Sequence, residues 1–364
     1  MSAAREDIDR LRLIRAEGVG PITYRRLIER FGTAAEALQA LPRLAMAGGR
    51  ATATEIPTAD AAEREIEATR RAGGHLVFLG DAGYPPLLAM TEDAPPCLIV
   101  TGDLDLAQNG CVALVGGRNA SANGQRMAEF LAADLAVAIP VVSGLARGID
   151  TAAHEGAMST GRTIAVIAGG LDQPYPPENA ALQQRIAETG LVVTEAALGT
   201  VPQSRHFPRR NRIIAGLALG VVVVEAALRS GSLITARLAQ EVGREVFAVP
   251  GSPLDPRARG GNDLLRQGAI LAESAADILG NLPTLGALPQ RRLDPPDLPP
   301  TPPESSTNAQ DAVLSLLSPD STTVDDLVRR CHLPHATTMA VLLELELAGR
   351  IEMLPGNRVA LLSA

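Results

Sequence analysis

The middle of the chain alternates between short apolar runs and longer stretches of mixed character. Residues 112–115, 139–142, 163–168, 191–194, 221–224 and 245–249 are nearly continuous apolar segments. Between them lie stretches of helical period, among them 178–188, 232–242 and one running from a cap at Ser121 or Asn123 to about Val137. Continuous apolar strands separated by helices predict a mostly parallel sheet covered on both faces. Two further runs, 75–79 and 98–101, read as strands preceding it. Small-residue turns follow the strands. In open α/β sheets ligands bind beyond the carboxyl ends of the strands, so the turns at 116–118, 143–147, 169–172 and 229–232 are expected to line one rim.

The flanks follow other patterns. Tyr24, Leu27, Ile28 and Phe31 recur at helical spacing, Gly32 stops that helix, and Thr33 caps the next, expected over 34–41. The turn Gly18–Val19–Gly20–Pro21 gives this region the look of a helix-hairpin-helix or sterile-alpha-motif-like element. Residues 60–72 predict a polar helix. Prolines crowd 281–308, which reads as a stiffened linker. Beyond it, 309–317, 323–330 and 335–348 predict three helices, and 349–362 a β-hairpin, together a winged helix. Its third helix is acidic and offers only Thr337 and Thr338 near its start. Duplex-reading helices carry Arg, Lys, Asn or Gln for base edges, so contact with a partner or another domain is expected instead. The divisions are 1–72 (helical), 73–280 (α/β), 281–308 (linker) and 309–364 (winged helix).

Composition sharpens this picture. The 364 residues allow two or three domains, and 46% hydrophobic content supports a sizeable core. A net charge of -8 argues against a basic nucleic-acid coat but leaves room for a local basic cleft. Cys97, Cys111 and Cys331 are widely spaced, form no metal or redox motif, and read as small buried apolar residues. The N-terminus has no signal-peptide core, and no apolar stretch is long enough to span a membrane. A cytoplasmic protein without membrane insertion is expected.

Candidate chemistry concentrates in RHFPRRNRIIAGLALGVVVVEAALRSGSLITA, residues 205–236. Arg205, Arg209, Arg210 and Arg212 fall in its first eight residues. Backbone amides in glycine-rich turns form anion nests. Arg118, Arg147, Arg209, Arg210 and Arg212 can supply forks to phosphates, and Phe207 offers a ring to stack on a base. The structural alternative puts Phe207 in the core and pairs some arginines with Asp150, Asp172, Glu195 or Glu225. No Walker A lysine motif occurs, and Gly116–Gly117–Arg118 lacks the full G-x-G-x-x-G spacing. Ser143 and Ser230 sit in no G-x-S-x-G elbow. His154 reads as a structural residue bonded to Asp150, four positions before it on a helix.

Five segments now point to one family: VALVGGRNASANG at 112–124, SGLARGIDTAAHEGAM at 143–158, TIAVIAGGLDQPYPPEN at 163–179, FPRRNRIIAGLA at 207–218 and VVVEAALRSGSLITA at 222–236, with AVPGS at 248–252. In this order they resemble the bacterial DNA-processing protein A family, also called Smf, over nearly the whole chain. The resemblance implies an extended Rossmann-like parallel sheet with the helical and winged-helix domains at its ends. It also implies binding of single-stranded DNA during natural transformation. Members protect incoming strands and load the RecA recombinase, displacing or working beside single-strand-binding protein, as homodimers formed through the central domain. It implies neither catalytic turnover nor a cofactor. Carried onto this chain, the strand-binding set is Gly116, Gly117 and Arg118; Ser143, Gly144 and Arg147; Phe207, Arg209, Arg210 and Arg212; and Ser230, Gly231 and Ser232. Gly117 stands where serine is commoner, Glu195–Ala196–Ala197 lacks the tyrosine–proline pair, and Asn123–Gly124 replaces Tyr–Gly. The rival class is a Rossmann-like nucleotide-binding enzyme such as a nucleotide hydrolase. A third reading is an adaptor acting through its winged helix.

Overall fold

The structure, a computed structural model, describes residues 5–283 and 307–362. Most of the proline-rich linker expected at 281–308 lies outside the described residues. The chain divides into two compact units. One is Ala68–Arg291; the other combines Met1–Glu67 with Arg292–Ala364.

The first unit is built on one sheet. Its strands are β1 (His75–Phe78), β2 (Cys97–Gly102), β3 (Cys111–Val115), β4 (Val141–Ser143), β5 (Thr163–Val166), β6 (Leu191–Thr194), β7 (Ala218–Val223), β8 (Glu245–Ala248) and β9 (Ile270–Leu271). Their order across the sheet is β1-β2-β6-β5-β4-β3-β7-β8-β9. From β6 to β9 every pairing is parallel, whereas β1 and β2 join antiparallel at one edge. The expected mostly parallel sheet is therefore observed, extended by the two early strands. β9 was not foreseen, because two residues make no apolar run.

Burial on both faces explains the lack of alternation in the strand sequences. In β3, Val112 and Leu114 pack on one side with Leu131, Leu135 and Phe247. Ala113 and Val115 pack on the other with Ile213, Leu217 and Val221. The helices Ala122–Ala138 and Ile149–Ala157 cover the first face; His206–Leu217 and Gly231–Glu241 cover the second. Ser121 caps the first of these helices, its hydroxyl accepting from the Gly124 amide at 2.9 Å.

Topology places the arginine-rich segment. The chain steps outward from β3 through β4 and β5 to β6, then returns to β7 on the other side of β3. The return connection is the segment containing helix His206–Leu217. Strand order thus reverses between β3 and β7, the kind of switch point where α/β sheets open a crevice at their carboxyl edge.

In the second unit, helices Arg5–Ile14, Pro21–Phe31 and Ala34–Ala47 pack together. Gly32 turns the chain at φ 80°, and the Thr33 hydroxyl accepts from the Glu36 amide at 3.2 Å. The third of these helices continues past its expected end at Leu41, through Pro42 to Ala47. Burial of Leu44 and Ala45 outweighs the hydrogen bond lost at the proline. The winged helix comprises helices Thr307–Leu314, Val324–Cys331 and His335–Leu347 and a sheet of β10 (Thr322–Thr323), β11 (Ile351–Leu354) and β12 (Arg358–Leu361), ordered β10-β12-β11. Leu343 and Leu347 of its third helix enter the cluster formed by Leu13, Leu27 and Leu41. Contact is so close that a Cβ added to Gly48 would lie 1.9 Å from the Glu344 carbonyl oxygen. Its acidic residues are bonded: buried Glu344 accepts from Gln310 at 3.0 Å, and half-buried Glu346 accepts from the Met353 amide at 3.2 Å.

Candidate functional site

A cleft of about 500 Å³ opens at the switch point. Three segments supply most of its lining: the turn after β3, the loop after β7, and the start of helix His206–Leu217, with Ala146, Asp150 and Arg257 added from elsewhere. Glycine makes the convergence possible. A Cβ on Gly116 would lie 2.4 Å from Ile149, and one on Gly148 (φ 76°) would lie 2.4 Å from the Gly117 carbonyl oxygen. The wall is tied by Glu225. Its carbonyl accepts from the Gly117 amide at 2.6 Å, and its carboxylate accepts from the Ser121 amide at 2.7 Å. Arg257 stands 3.9 Å from the other carboxylate oxygen. Glu225 is thus a strut for the glycine turn. Gly124 is required beside it, since a Cβ there would meet that carboxylate at 2.7 Å. Gly117, by contrast, has room for a side chain, its nearest neighbour being 3.4 Å from an added Cβ.

Ser230 closes the cleft as the cap of helix Gly231–Glu241, with its hydroxyl 2.7 Å from that of Ser232. A helix N-terminus offers backbone N–H groups and the positive end of a dipole to an anion.

Behind the mouth lies a buried polar cluster. Arg210 is 5% exposed and donates to the Val166 carbonyl at 2.6 Å. Burial pushes its guanidinium down to about 10, against the pull of Asp150. Asp150 is itself buried, which raises its carboxyl, while Arg210, the Ala146 amide, Ser143 and Arg118 oppose that rise. Arg210 passes where Gly144 has no side chain: an added Cβ would lie 1.8 Å from the guanidinium. His154 differs from expectation. Its Nδ1 meets Thr163 at 2.7 Å rather than Asp150, because the Thr163 hydroxyl on β5 lies directly beneath the helix. Burial and the field of Arg210 lower its imidazole to about 3, so it is neutral.

Phe207 stands at the mouth, half-buried. The Arg118 guanidinium lies 4.8 Å from its ring centre, and the ring of Tyr175 lies 5.3 Å away at 54°. Phe207 is therefore a rim residue and not a core ring.

The structure brings Gly116, Gly117, Arg118, Phe207, Arg210, Ser230, Gly231 and Ser232 into one cleft. Ser143 lies beneath it, donating to the Leu114 carbonyl at 2.6 Å, and Gly144 makes space for Arg210. Three arginines do not line it. Arg147 pairs with Glu178; Arg212 donates to Glu195 and to the Asp93 carbonyl; Arg209 is exposed outside the lining. Asn119, Asn211, Arg229 and Arg257 do line it, though sequence reasoning did not place them among the site residues. Arg229 was legible as part of its turn; Arg257, in the coil after β8, carries no motif. Among the described residues no cluster of His, Cys, Asp and Glu is arranged for a metal, and no helix is long and apolar enough to cross a membrane.

Fold and cleft together define an α/β protein with a switch-point cleft walled by glycine turns and arginines. Residues 75–283 match the family described as DNA recombination-mediator protein A, and the chain belongs to that family. Residues 4–68 match a DprA-like N-terminal HHH domain and 297–357 a DprA winged helix domain. Protein Smf of Escherichia coli K12 is 41% identical over 297 residues, 79% of this chain and 77% of its own. DNA processing protein DprA of Streptococcus pneumoniae R6 is 48% identical over 200 residues, 55% of this chain and 71% of its own. The X-ray structure of DprA from that species superposes with a TM-score of 0.64 at 37% identity, over 78% of this chain and 99% of that one. A second solved structure, described in terms of the single-stranded DNA binding mode of DNA processing protein A from Helicobacter pylori, gives 0.52 at 30%, over 56% and 94%.

Proposed function

We propose that this chain is a cytoplasmic single-stranded DNA-binding protein of natural transformation. It shelters incoming strands, loads the RecA recombinase onto them beside single-strand-binding protein, and works as a homodimer joined through its central α/β domain, without chemical turnover. The reading rests above all on one observation: Arg118 stands over the Phe207 ring at the mouth of a glycine-walled cleft backed by Arg210. Guanidinium forks, backbone amides and an aromatic ring are the three things a single strand needs from its binder. The Helicobacter pylori relative, described as binding single-stranded DNA, supports the same assignment. The overall charge of -8 does not oppose it, because potential in a cleft is set by local groups.

A titration of labelled oligonucleotide at several salt concentrations tests the proposal. Affinity for single strands is expected to exceed that for duplex and to fall with salt, with a log–log slope of about −0.7 per phosphate neutralised. Arg118→Ala is expected to weaken binding and flatten that slope. Equal affinity for duplex, or no dependence on salt, would overturn the strand-binding reading. Faster RecA filament assembly on strands coated with single-strand-binding protein tests the loading step. Its absence, with binding intact, removes that step alone.

A further inference from the structure

The loop that carries Tyr175 plays no part in the cleft's lining, yet it brings a ring to the cleft's edge. The chain has no tryptophan, three tyrosines and five phenylalanines, so each exposed ring stands out. Tyr24 and Tyr84 are each 4% exposed, whereas Tyr175 is 42% exposed. It touches Phe207 at a tilt and does not stack flat on it, which leaves its outer face to solvent.

The loop is held from several sides. Asn179 donates to the Leu145 carbonyl at 2.8 Å and to the Thr151 hydroxyl at 2.9 Å, clamping the loop's end to the turn that follows β4. Gln183 donates to the Leu171 carbonyl at 2.9 Å, and Asp172 accepts from the Gly199 amide at 2.8 Å. Pro174, Pro176 and Pro177 restrict the backbone around the ring. A ring exposed to water and fixed in place costs little further ordering when something covers it.

Beyond Tyr175 the same rim carries Arg147, paired with Glu178 at side-chain exposures of 59% and 51%. An ion pair this exposed contributes little to stability, so Glu178 can give way to a phosphate. The row Arg118, Phe207, Tyr175 therefore leads from the cleft toward the one glycine-turn arginine that the cleft leaves out.

From this juxtaposition we propose that Tyr175 is a base-stacking subsite, which continues the strand's path from the Phe207 rim toward Arg147. The inference rests on the strand-binding reading above and adds to it a second ring and a direction across the rim. The face of the tyrosine ring takes a nucleobase of any identity, and its hydroxyl has no required role.

Binding of a thymidine oligonucleotide is compared with that of an abasic strand of equal length, using the full chain. Tyr175→Ala is expected to weaken binding of the thymidine strand roughly 5- to 150-fold, the range one stacked base represents. Binding of the abasic strand is expected to be unchanged, and Tyr175→Phe to behave as wild type on both. The absence of tryptophan supplies a direct readout. Because the other two tyrosines are buried, quenching of tyrosine emission by the thymidine strand should be largely lost in Tyr175→Phe although affinity is kept. Equal losses on both strands would show that the ring only props the loop, and no loss on the thymidine strand would show that no base reaches it; either overturns the subsite. A wild-type chain that binds neither strand overturns the strand-binding reading, and the subsite with it.

Discussion

In the central unit, Arg118 and Arg229 stand exposed at the ends of strands whose own side chains are sealed on both faces. In the winged helix, the helix that would enter a DNA groove turns Leu343 and Leu347 into the core of the N-terminal helices and buries Glu344. Both architectures are associated with nucleic acid, but a fold does not confer a site. The difference lies in what the topology leaves at the surface. A switch point must leave a gap, and glycine turns let cations and amides reach it. A groove-reading helix needs one open polar face, and here that face has become packing.

The largest expected effect sharpens the central side of this contrast. Arg210→Ala removes the countercharge of buried Asp150 and the donor to Val166. Leaving a buried charge without compensation typically costs about 3–5 kcal/mol. Denaturant unfolding of the central unit should show a loss of this order, together with impaired strand binding. A fully stable variant would mean that Asp150 is protonated or solvated in the absence of the arginine.

Next is Gly48→Val, aimed at the other unit. Its side chain would collide with the Glu344 backbone, and overpacking of this kind costs about 1–3 kcal/mol. Amide exchange should accelerate in the helices 34–47 and 335–347, while affinity for a single strand stays at the wild-type value. A matching loss of strand affinity would break the division of labour proposed here.

These two variants also mark what could be read before the structure. The parallel sheet, its glycine turns and the winged helix were legible because apolar runs and turn residues report local structure directly. Phe207 was undecidable, since its rim position depends on the return crossover from β6 to β7, which no local pattern encodes. The same holds for Arg212: adjacent in sequence to cleft residues, it points to Glu195 and Asp93 because a helix sends neighbouring side chains in different directions. Arg257 reaches the cleft from beyond helix Gly231–Glu241 and β8 only through the sheet, and Gly48 meets Glu344 across nearly the whole length of the chain. Such long-range meetings leave no mark in a single sequence.

A third effect is graded by pH. His154 is buried and neutral, with its imidazole lowered from 6.5 to about 3, so between those values the unfolded chain binds a proton that the folded unit does not. Stability conferred by the neutral ring is complete above about pH 6.5 and is lost as pH falls toward 3. The slope from one proton is about 1.4 kcal/mol per pH unit. Asp150, raised by burial, contributes with the opposite sign, its stabilisation diminishing as pH rises. Comparing wild type with His154→Gln isolates the histidine, and identical acid-unfolding profiles would show that the imidazole is protonated within the fold.

The smallest expected effect tests the winged helix itself. Arg329 and Arg330 are exposed on its second helix and pair only weakly with Asp326, at 3.5 and 3.6 Å. If this domain touched a strand by charge, these two would be well placed to do it, and replacing both with alanine would reduce the salt slope of binding, as loss of Arg118 is expected to do. Burial of the third helix argues the reverse. The double variant should bind single strands with unchanged slope, and each substitution should alter stability by no more than about 0.5 kcal/mol. A flattened slope would extend the strand path onto the winged helix and end the contrast between the two regions.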